Sequence, residues 1–535
     1  MKSRLRTDLL LLAGVCGFLF FYQLKIFGLV GADEPRYAQV AREMLERHDW
    51  ITPVLGGKAW LEKPIFYYWQ AMICYVVFGV SDWAARIPSG VDATLMVAAS
   101  YMFLRRFRRG SELDGSLMIA SCAATIGFAR AAATDMPLAS MLSIAMISWY
   151  AWRESNERRY LAAFYIFLGI ATLAKGPVAP FLAAAIVLAF AVVVRDWTLP
   201  RRMIWRPGIL LFIAVTLPWY IAVEIRNPEF FRVFILEHNL ARFGSDLYRH
   251  KQPFWYFIPV ALLGLVPWIV LLVTALGENA RALWSERRQR FKPEDEYNIF
   301  LLIWLFLPIA FFSISQSKLP GYILPALPAG ALILAEYVRR RLANESDMHP
   351  ILAGCHALVA AGILVPSILA SYIVSEDRSQ WLRNGPVLAI VWLLFATGIT
   401  LLLTRRRGLR YLHFVTLAPV IVAVSALLRI GGPGVNLNLS QRPVAQQLSL
   451  VAENSLPTAV MGVPRDKEYG LAFYRNMPIS RYERGEIPSQ EHLLVAPENS
   501  QADMARYIGN RSVRYLGSFP AQHIEFYRVT SQVTP

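Results

Sequence analysis

The chain is 535 residues long, 56% hydrophobic and only 17% charged. A soluble domain carries about 25% charged residues, so most of this surface is not built for water. The formal net charge of +16 raises nucleic acid as a partner, but the basic residues come in short clusters between apolar runs. That is how a membrane protein marks its cytoplasmic side, and it argues against nucleic acid. Cys16, Cys74, Cys122 and Cys355 lie in or beside apolar runs without metal-like spacing. They read as small buried hydrophobes, with no disulfide framework.

The first residues, MKSRLRTDLLLLAGVCGFLFFYQL, join a basic start to an apolar stretch long enough to span. No small-residue cleavage pattern ends it, so it reads as an uncleaved signal anchor. At roughly 20 apolar residues per helical span, thirteen spans are expected, at 8–27, 85–104, 115–132, 137–152, 160–174, 177–194, 208–225, 255–276, 298–315, 321–338, 351–373, 385–403 and 411–429. With Lys2, Arg4 and Arg6 inside, each even-numbered span should end at a basic cluster. The clusters around Arg105, Arg153, Arg195, Arg287, Arg339 and Arg405 meet that requirement. The N-terminus is therefore expected in the cytoplasm and the C-terminus outside, which in a bacterium places a multi-pass protein in the inner membrane with a periplasmic C-terminus.

Two regions break the spanning pattern. In 28–84, Tyr37, Val40, Ala41, Met44 and Leu45 recur at helical spacing while Arg42, Glu43, Glu46 and Arg47 fall largely elsewhere. This predicts an amphipathic helix lying in the membrane interface. Phe66-Tyr67-Tyr68-Trp69 opens an apolar stretch too short to span, with aromatics suited to the headgroup level. After Gly431-Gly432-Pro433-Gly434 the polarity becomes ordinary, with β-like runs at 492–495, 513–518 and 524–529 and a helical pattern at 501–508. Residues 1–429 thus form an all-α polytopic membrane domain, and 430–535 a small mixed α/β external domain.

Once sides are assigned, the unusual polar residues gather outside. They fall in Asp33-Glu34-Pro35-Arg36-Tyr37, Glu62-Lys63-Pro64, Thr134-Asp135-Met136-Pro137, Lys175-Gly176-Pro177, the loop 224–253, and Ser317-Lys318-Leu319-Pro320-Gly321-Tyr322. Mixed charges at the hydrocarbon edge are expensive and usually pair or serve a site. Cations that hold a phosphate and a carboxylate that works on an acceptor suit an anionic lipid-linked substrate. There is no GxGxxG or Walker pattern on a strand–helix unit, so no bound nucleotide is called for.

These motifs, with Glu237-His238-Asn239-Leu240-Ala241-Arg242-Phe243 and Pro253-Phe254-Trp255-Tyr256, resemble those of the bacterial aminoarabinose lipid A transferases. That group belongs to the GT-C superfamily, with the protein O-mannosyltransferases. The resemblance runs in order from about residue 30 to 340. It implies a GT-C fold and a polyprenyl-phosphate-linked sugar donor, and transfer with inversion on the periplasmic side. It places the catalytic signature on Asp33 and phosphate binding on Lys63, with Arg36, Lys175, Arg242 and Lys318 as further cations. Asp135 and Tyr322 belong to matching motifs as a second acid and a substrate contact. The resemblance also implies a divalent metal such as zinc on Glu62 and His238, although the residues themselves require no cofactor. The expected partners are the donor, lipid A or another lipid or glycan acceptor, and membrane lipids, with the protein a monomer.

The same residues carry plainer readings. Asp33 before Pro35, and Asp135 before Pro137, also read as helix caps. Lys63, Lys175 and Lys318 also read as lysines reaching for headgroups, Arg36 as part of a solvated helix face, and His238 as a hydrogen-bonded loop histidine. A sugar hydroxyl as acceptor needs a base, whereas a lipid A phosphate is already a nucleophile, leaving Asp33 to orient it. A transporter or lipid flippase is a different-class alternative, but no inverted repeat is visible and the charges avoid the midplane. A scaffold displaying the external domain would leave the one-sided motifs unexplained. Sugar and acceptor stay open, including a hexose or pentose passed to another glycan or protein.

Overall fold

Each of the thirteen apolar segments carries helix in the computed structural model, which describes residues 2–241, 252–286, 293–345, 347–366, 379–451 and 455–530. The helices that position the site are α1 (Lys2–Cys16), α2 (Asp33–Glu46), α3 (Phe66–Phe78), α4 (Asp82–Phe107), α5 (Glu112–Ser121), α6 (Ala123–Ala129), α7 (Asp135–Ser155), α8 (Arg158–Lys175) and α9 (Val178–Val194). Among the described residues, five helices are long and apolar enough to cross a bilayer alone, or six if one bent pair is a single span. The other segments are shorter, broken or, like the 21-residue α7, less apolar.

Two segments expected as straight spans are not. Residues 255–276 form α10 (Phe257–Gly264) and α11 (Ile269–Glu286), which meet at 114°. Pro267 between them lacks the N–H that would continue the helix. Residues 115–132 divide into α5 and α6 at Cys122, whose backbone is extended. The two breaks answer each other, because Ala123 N donates to Val266 O at 2.9 Å. A non-helical backbone inside a membrane is tolerated where protein satisfies it in this way.

Helices α4 and α7 run in one direction and α8 returns, so one end of the bundle collects Asp82, Asp135 and Lys175 and the other collects the arginines. At the arginine end, Arg108 pairs with Glu154 at 2.8 Å, Arg106 with Glu157 at 3.4 Å and Arg153 with Glu296 at 3.0 Å. The clusters read from sequence as topology signals are thus partly consumed in ties between helix ends. Cys16 and Cys122 are buried, but Cys355 is exposed on the outer face of its helix and Cys74 is intermediate, so two cysteines depart from the buried expectation.

The helix expected over 37–45 is α2, and its apolar face is indeed one-sided. That face does not rest on headgroups. Tyr37, Val40, Ala41 and Met44 are buried with Tyr67, Tyr68, Met72 and Tyr75 of α3 and with Phe473 of the C-terminal domain. The aromatic run also turns inward: Tyr67 and Tyr68 have no exposed surface, and Trp69 Nε1 donates to Trp50 O at 2.8 Å. The exposed apolar face of α3 comes later, at Ile73, Val76, Val77 and Phe78. A tyrosine ring gains more from burial with its hydroxyl satisfied, as Tyr67 is by Ala85 O at 2.8 Å, than from the interface.

The C-terminal domain holds a five-stranded mixed sheet. Its strands are β1 (Thr458–Val460), β2 (Ile479–Arg481), β3 (His492–Pro497), β4 (Val513–Phe519) and β5 (Ile524–Val529), ordered β2-β1-β3-β5-β4. β1 pairs parallel with β2 and β3, while β5 pairs antiparallel with β3 and β4. Alternation along β3 sends Leu493 and Val495 to one core layer, with Leu448 and Leu471, and Leu494 and Ala496 to the other, with Met504 and Ile508. Helix α12 (Arg465–Arg475), between β1 and β2, packs against α2.

Candidate active site

Two helices begin at the same cavity. Asp33 is the first helical residue of α2, after Ala32, and Asp135 the first of α7, after Thr134. Each has a proline two residues on, in the first turn, where a missing N–H costs nothing. Neither carboxylate caps its helix. Asp33 Oδ1 accepts from Arg36 Nη2 at 2.5 Å, and Asp135 Oδ1 accepts from Lys175 Nζ at 2.6 Å. The capping readings are therefore replaced by ion pairs at two helix starts, where partial positive charge favours carboxylates and phosphates alike.

The loop carrying Asp33 is fixed by its neighbour. Arg86 of α4 binds Glu34 through both carboxylate oxygens, at 3.0 and 2.7 Å, and also donates to the carbonyls of Leu24, Phe27 and Gly28. Glu34 in turn accepts from Val30 N at 2.9 Å and Ala132 N at 2.8 Å. One buried pair thus ties the loop before α2 to α4 and to the turn before α7. Asp33 and Asp135 are held relative to one another through it.

The cavity has a volume of about 960 Å³. Asp33, Arg36, Glu62, Lys63, Asp135, Lys175 and Tyr322 all line it. Arg36 is not a solvated face residue: its side chain is 14% exposed. Its guanidinium sits 5.0 Å from the ring of Tyr37, 5.2 Å from Trp60 and 5.7 Å from Tyr469. Burial works against its charge, but Tyr37, Asp33 and Glu62 outweigh burial and hold it protonated above its ordinary range. Lys175 lies 5.1 Å from the Tyr322 ring, and Gly321 packs directly on the Asp135 carboxylate, where a Cβ would collide. Arg36 Nε, Trp60 Nε1 and Thr134 Oγ are buried at this cavity without a hydrogen-bond partner among the described residues. Buried orphan donors are rare in proteins and call for a ligand or water.

Of the other expected contacts, one falls elsewhere and two lie outside the described residues. Lys318 is outside the cavity lining. Its ammonium donates to Ser315 O at 2.5 Å and Gln252 O at 3.1 Å, which makes it a clamp between two loops and not a headgroup lysine. Arg242 lies outside the described residues. His238 belongs to the π-helical segment Arg232–Ala241, and its side chain likewise lies outside the described ones. Among the described residues no group of three His, Cys, Asp or Glu could hold a metal ion. The expected pairing of Glu62 with His238 therefore lies outside the described residues.

Sequence reading missed the wall opposite. Arg465 and Tyr469, at the start of α12, also line the cavity. Their i,i+4 spacing puts them on one helix face, but nothing local connects that face with a loop more than 400 residues earlier. Thr134 lies within a quoted motif and Trp60 two residues before another, and neither carried an assigned role.

Residues 8–234 match the family model for dolichyl-phosphate-mannose-protein mannosyltransferases. An undecaprenyl phosphate-α-4-amino-4-deoxy-L-arabinose arabinosyl transferase from Serratia proteamaculans is 32% identical over 71% of the chain and 69% of its own length. One from Yersinia pestis is 28% identical over 73% and 70%. Among solved structures, ArnT from Cupriavidus metallidurans bound to undecaprenyl phosphate matches with TM-score 0.79 and 24% identity, covering 97% of each chain. The Archaeoglobus fulgidus oligosaccharyltransferase matches with TM-score 0.52 and 12% identity, over 94% of this chain and 71% of that one. These two likenesses are of fold.

Proposed function

The chain belongs to the family of undecaprenyl phosphate-α-4-amino-4-deoxy-L-arabinose arabinosyl transferases, and from that membership we propose that it passes this aminosugar from undecaprenyl phosphate to a lipid A phosphate on the periplasmic side of the inner membrane. It is a multi-pass membrane glycosyltransferase of the GT-C fold. The observation that carries the reading is the cavity in which two helix-start aspartates, Asp33 and Asp135, are each paired with a cation beside orphan donors.

An oxygen of the acceptor phosphate attacks the anomeric carbon from the face opposite the donor phosphate. The bond from that carbon to the undecaprenyl phosphate oxygen breaks, its electron pair stays on the departing phosphate, and configuration inverts. A phosphomonoester with second pKa near 6 is already mostly ionised, so no proton has to move. Lys63 and Arg36 meet the charge that develops on the leaving phosphate, and Lys175 supports it from the second helix start. Asp33, half exposed to the cavity at 51%, faces the sugar as positive charge grows on it. Asp135, held by Lys175 and Gly321, keeps the lysine in place.

The match of residues 8–234 to mannosyltransferases favours one other acceptor class, a hydroxyl. Asp33 would then take the hydroxyl proton as general base. Transfer assays in membranes, with products read by mass spectrometry, test both. Asp33→Asn and Lys63→Ala are each expected to lower the rate on the order of 10²–10³-fold, as for the loss of one transition-state contact. Full rates in both variants, at normal expression, would remove this site. Sugar found on a hydroxyl would change the acceptor alone.

A further inference from the structure

We infer that the C-terminal domain builds the acceptor side of this site, with Arg465 receiving the acceptor phosphate and Tyr469 positioning Arg36; this rests on the reading of the cavity as a phosphate-to-phosphate transfer site. α12 is anchored to the membrane domain at several points. Arg42 Nη1 of α2 donates to Phe473 O at 3.1 Å, Tyr474 accepts from Leu29 N at 2.7 Å and donates to Asp82 at 3.1 Å, and Asn476 reaches Glu46 at 3.2 Å. These contacts fix the C-terminal end of the helix, and Arg465 and Tyr469 lie toward its other end, along the cavity.

Charge separates the two walls. On the membrane-domain wall Arg36 is matched by Asp33 and Lys175 by Asp135. Arg465, across the cavity, has no carboxylate within ion-pair distance among the described residues, and no other hydrogen-bond partner there either. The reaction must bring two phosphate anions together around one carbon, and their repulsion has to be offset from both sides. The donor carries a long lipid and reaches the site along the bundle, where Lys63 and Arg36 lie. The wall facing away from the bundle belongs to the C-terminal domain, and its cation is Arg465. Tyr469 adds a third ring 5.7 Å from the Arg36 guanidinium, with Tyr37 and Trp60, which holds the guanidinium where the donor phosphate needs it.

The test uses the full-length protein in detergent, with lipid A and the undecaprenyl-linked donor varied separately. Arg465→Ala is expected to raise KM for lipid A on the order of tenfold to a hundredfold, the worth of one charge-assisted hydrogen bond, with little change in KM for the donor. Arg465→Lys should recover part of the loss. Tyr469→Ala should instead raise KM for the donor, through Arg36. A second arm measures retention of lipid A and of dephosphorylated lipid A by the protein without donor. Wild type should prefer the phosphorylated form, and Arg465→Ala should not. An unchanged lipid A KM in Arg465→Ala, or a change confined to the donor, overturns the assignment. So does an equal phosphate preference in wild type and variant. Failure of the wild type to transfer would strike the transfer reading, while the retention arm still decides Arg465.

Discussion

Asp33 and Glu34 are neighbours in sequence and opposite in environment. The side chain of Asp33 is 51% exposed to the cavity, whereas that of Glu34 is 9% exposed and doubly bonded to Arg86. The roughly 100° between successive helical residues turns Asp33 out into the open cavity and sets Glu34 into its wall, against Arg86. Glu34→Gln would leave the Arg86 charge buried without its partner. Breaking a buried pair this way costs about 3–5 kcal/mol, so a clear fall in thermal stability in detergent is expected. Arg86→Met in the same chain should restore part of it, since an apolar pair removes the orphaned charge. A melting point equal to wild type in Glu34→Gln would mean the pair does not hold the loop.

At the scale of elements, apolar spacing located α2 but not its partner. The same face would suit a membrane interface or a protein groove, and only the neighbouring α3 and α12 decide. The C-terminal strands show the converse. Runs at 492–495, 513–518 and 524–529 emerged as β3, β4 and β5, and the 501–508 helix as Gln501–Ile508, because alternation and amphipathic spacing are local signals. The short β1 and β2 carry three residues each, too few for alternation to register. His492 on β3 illustrates what tertiary packing adds. Its Nε2 lies 2.6 Å from the Tyr482 hydroxyl and its Nδ1 2.8 Å from Gln490 O, and burial pushes its pKa down. The folded state therefore resists protonation that the unfolded state accepts. Stability is complete above the ordinary histidine value of about 6.5 and falls as the pH drops below it. Denaturant unfolding from pH 7.5 to 5 should show that slope, and His492→Gln should flatten it.

For the whole molecule, the joint between the domains is the decisive feature. Gly28 N donates to Asn436 Oδ1 at 2.9 Å, Val30 bridges Ser440, and Arg442 pairs with Asp82 at 3.4 Å. A Cβ on Gly28 would run into Ser440 and Tyr474. Gly28→Val is therefore expected to loosen the C-terminal domain, so that limited proteolysis in membrane vesicles releases it faster and sugar transfer falls. Wild-type cleavage and transfer in that variant would mean that the joint tolerates the side chain.

The sequence by itself determined the membrane class, the approximate positions of the helical segments, and the loops that supply Asp33, Lys63, Asp135, Lys175 and Tyr322. Hydropathy and charge bias act over about 20 residues, so they can be read along the chain. Tertiary structure alone decided that Lys318 clamps loops, that the Phe257–Glu286 region bends by 114° at Pro267, and that Arg465 and Tyr469 complete the cavity. The bond from Leu29 to Tyr474 spans 445 residues. A contact at that separation leaves no local pattern, because its energy depends on where two distant surfaces meet and not on either segment's own periodicity.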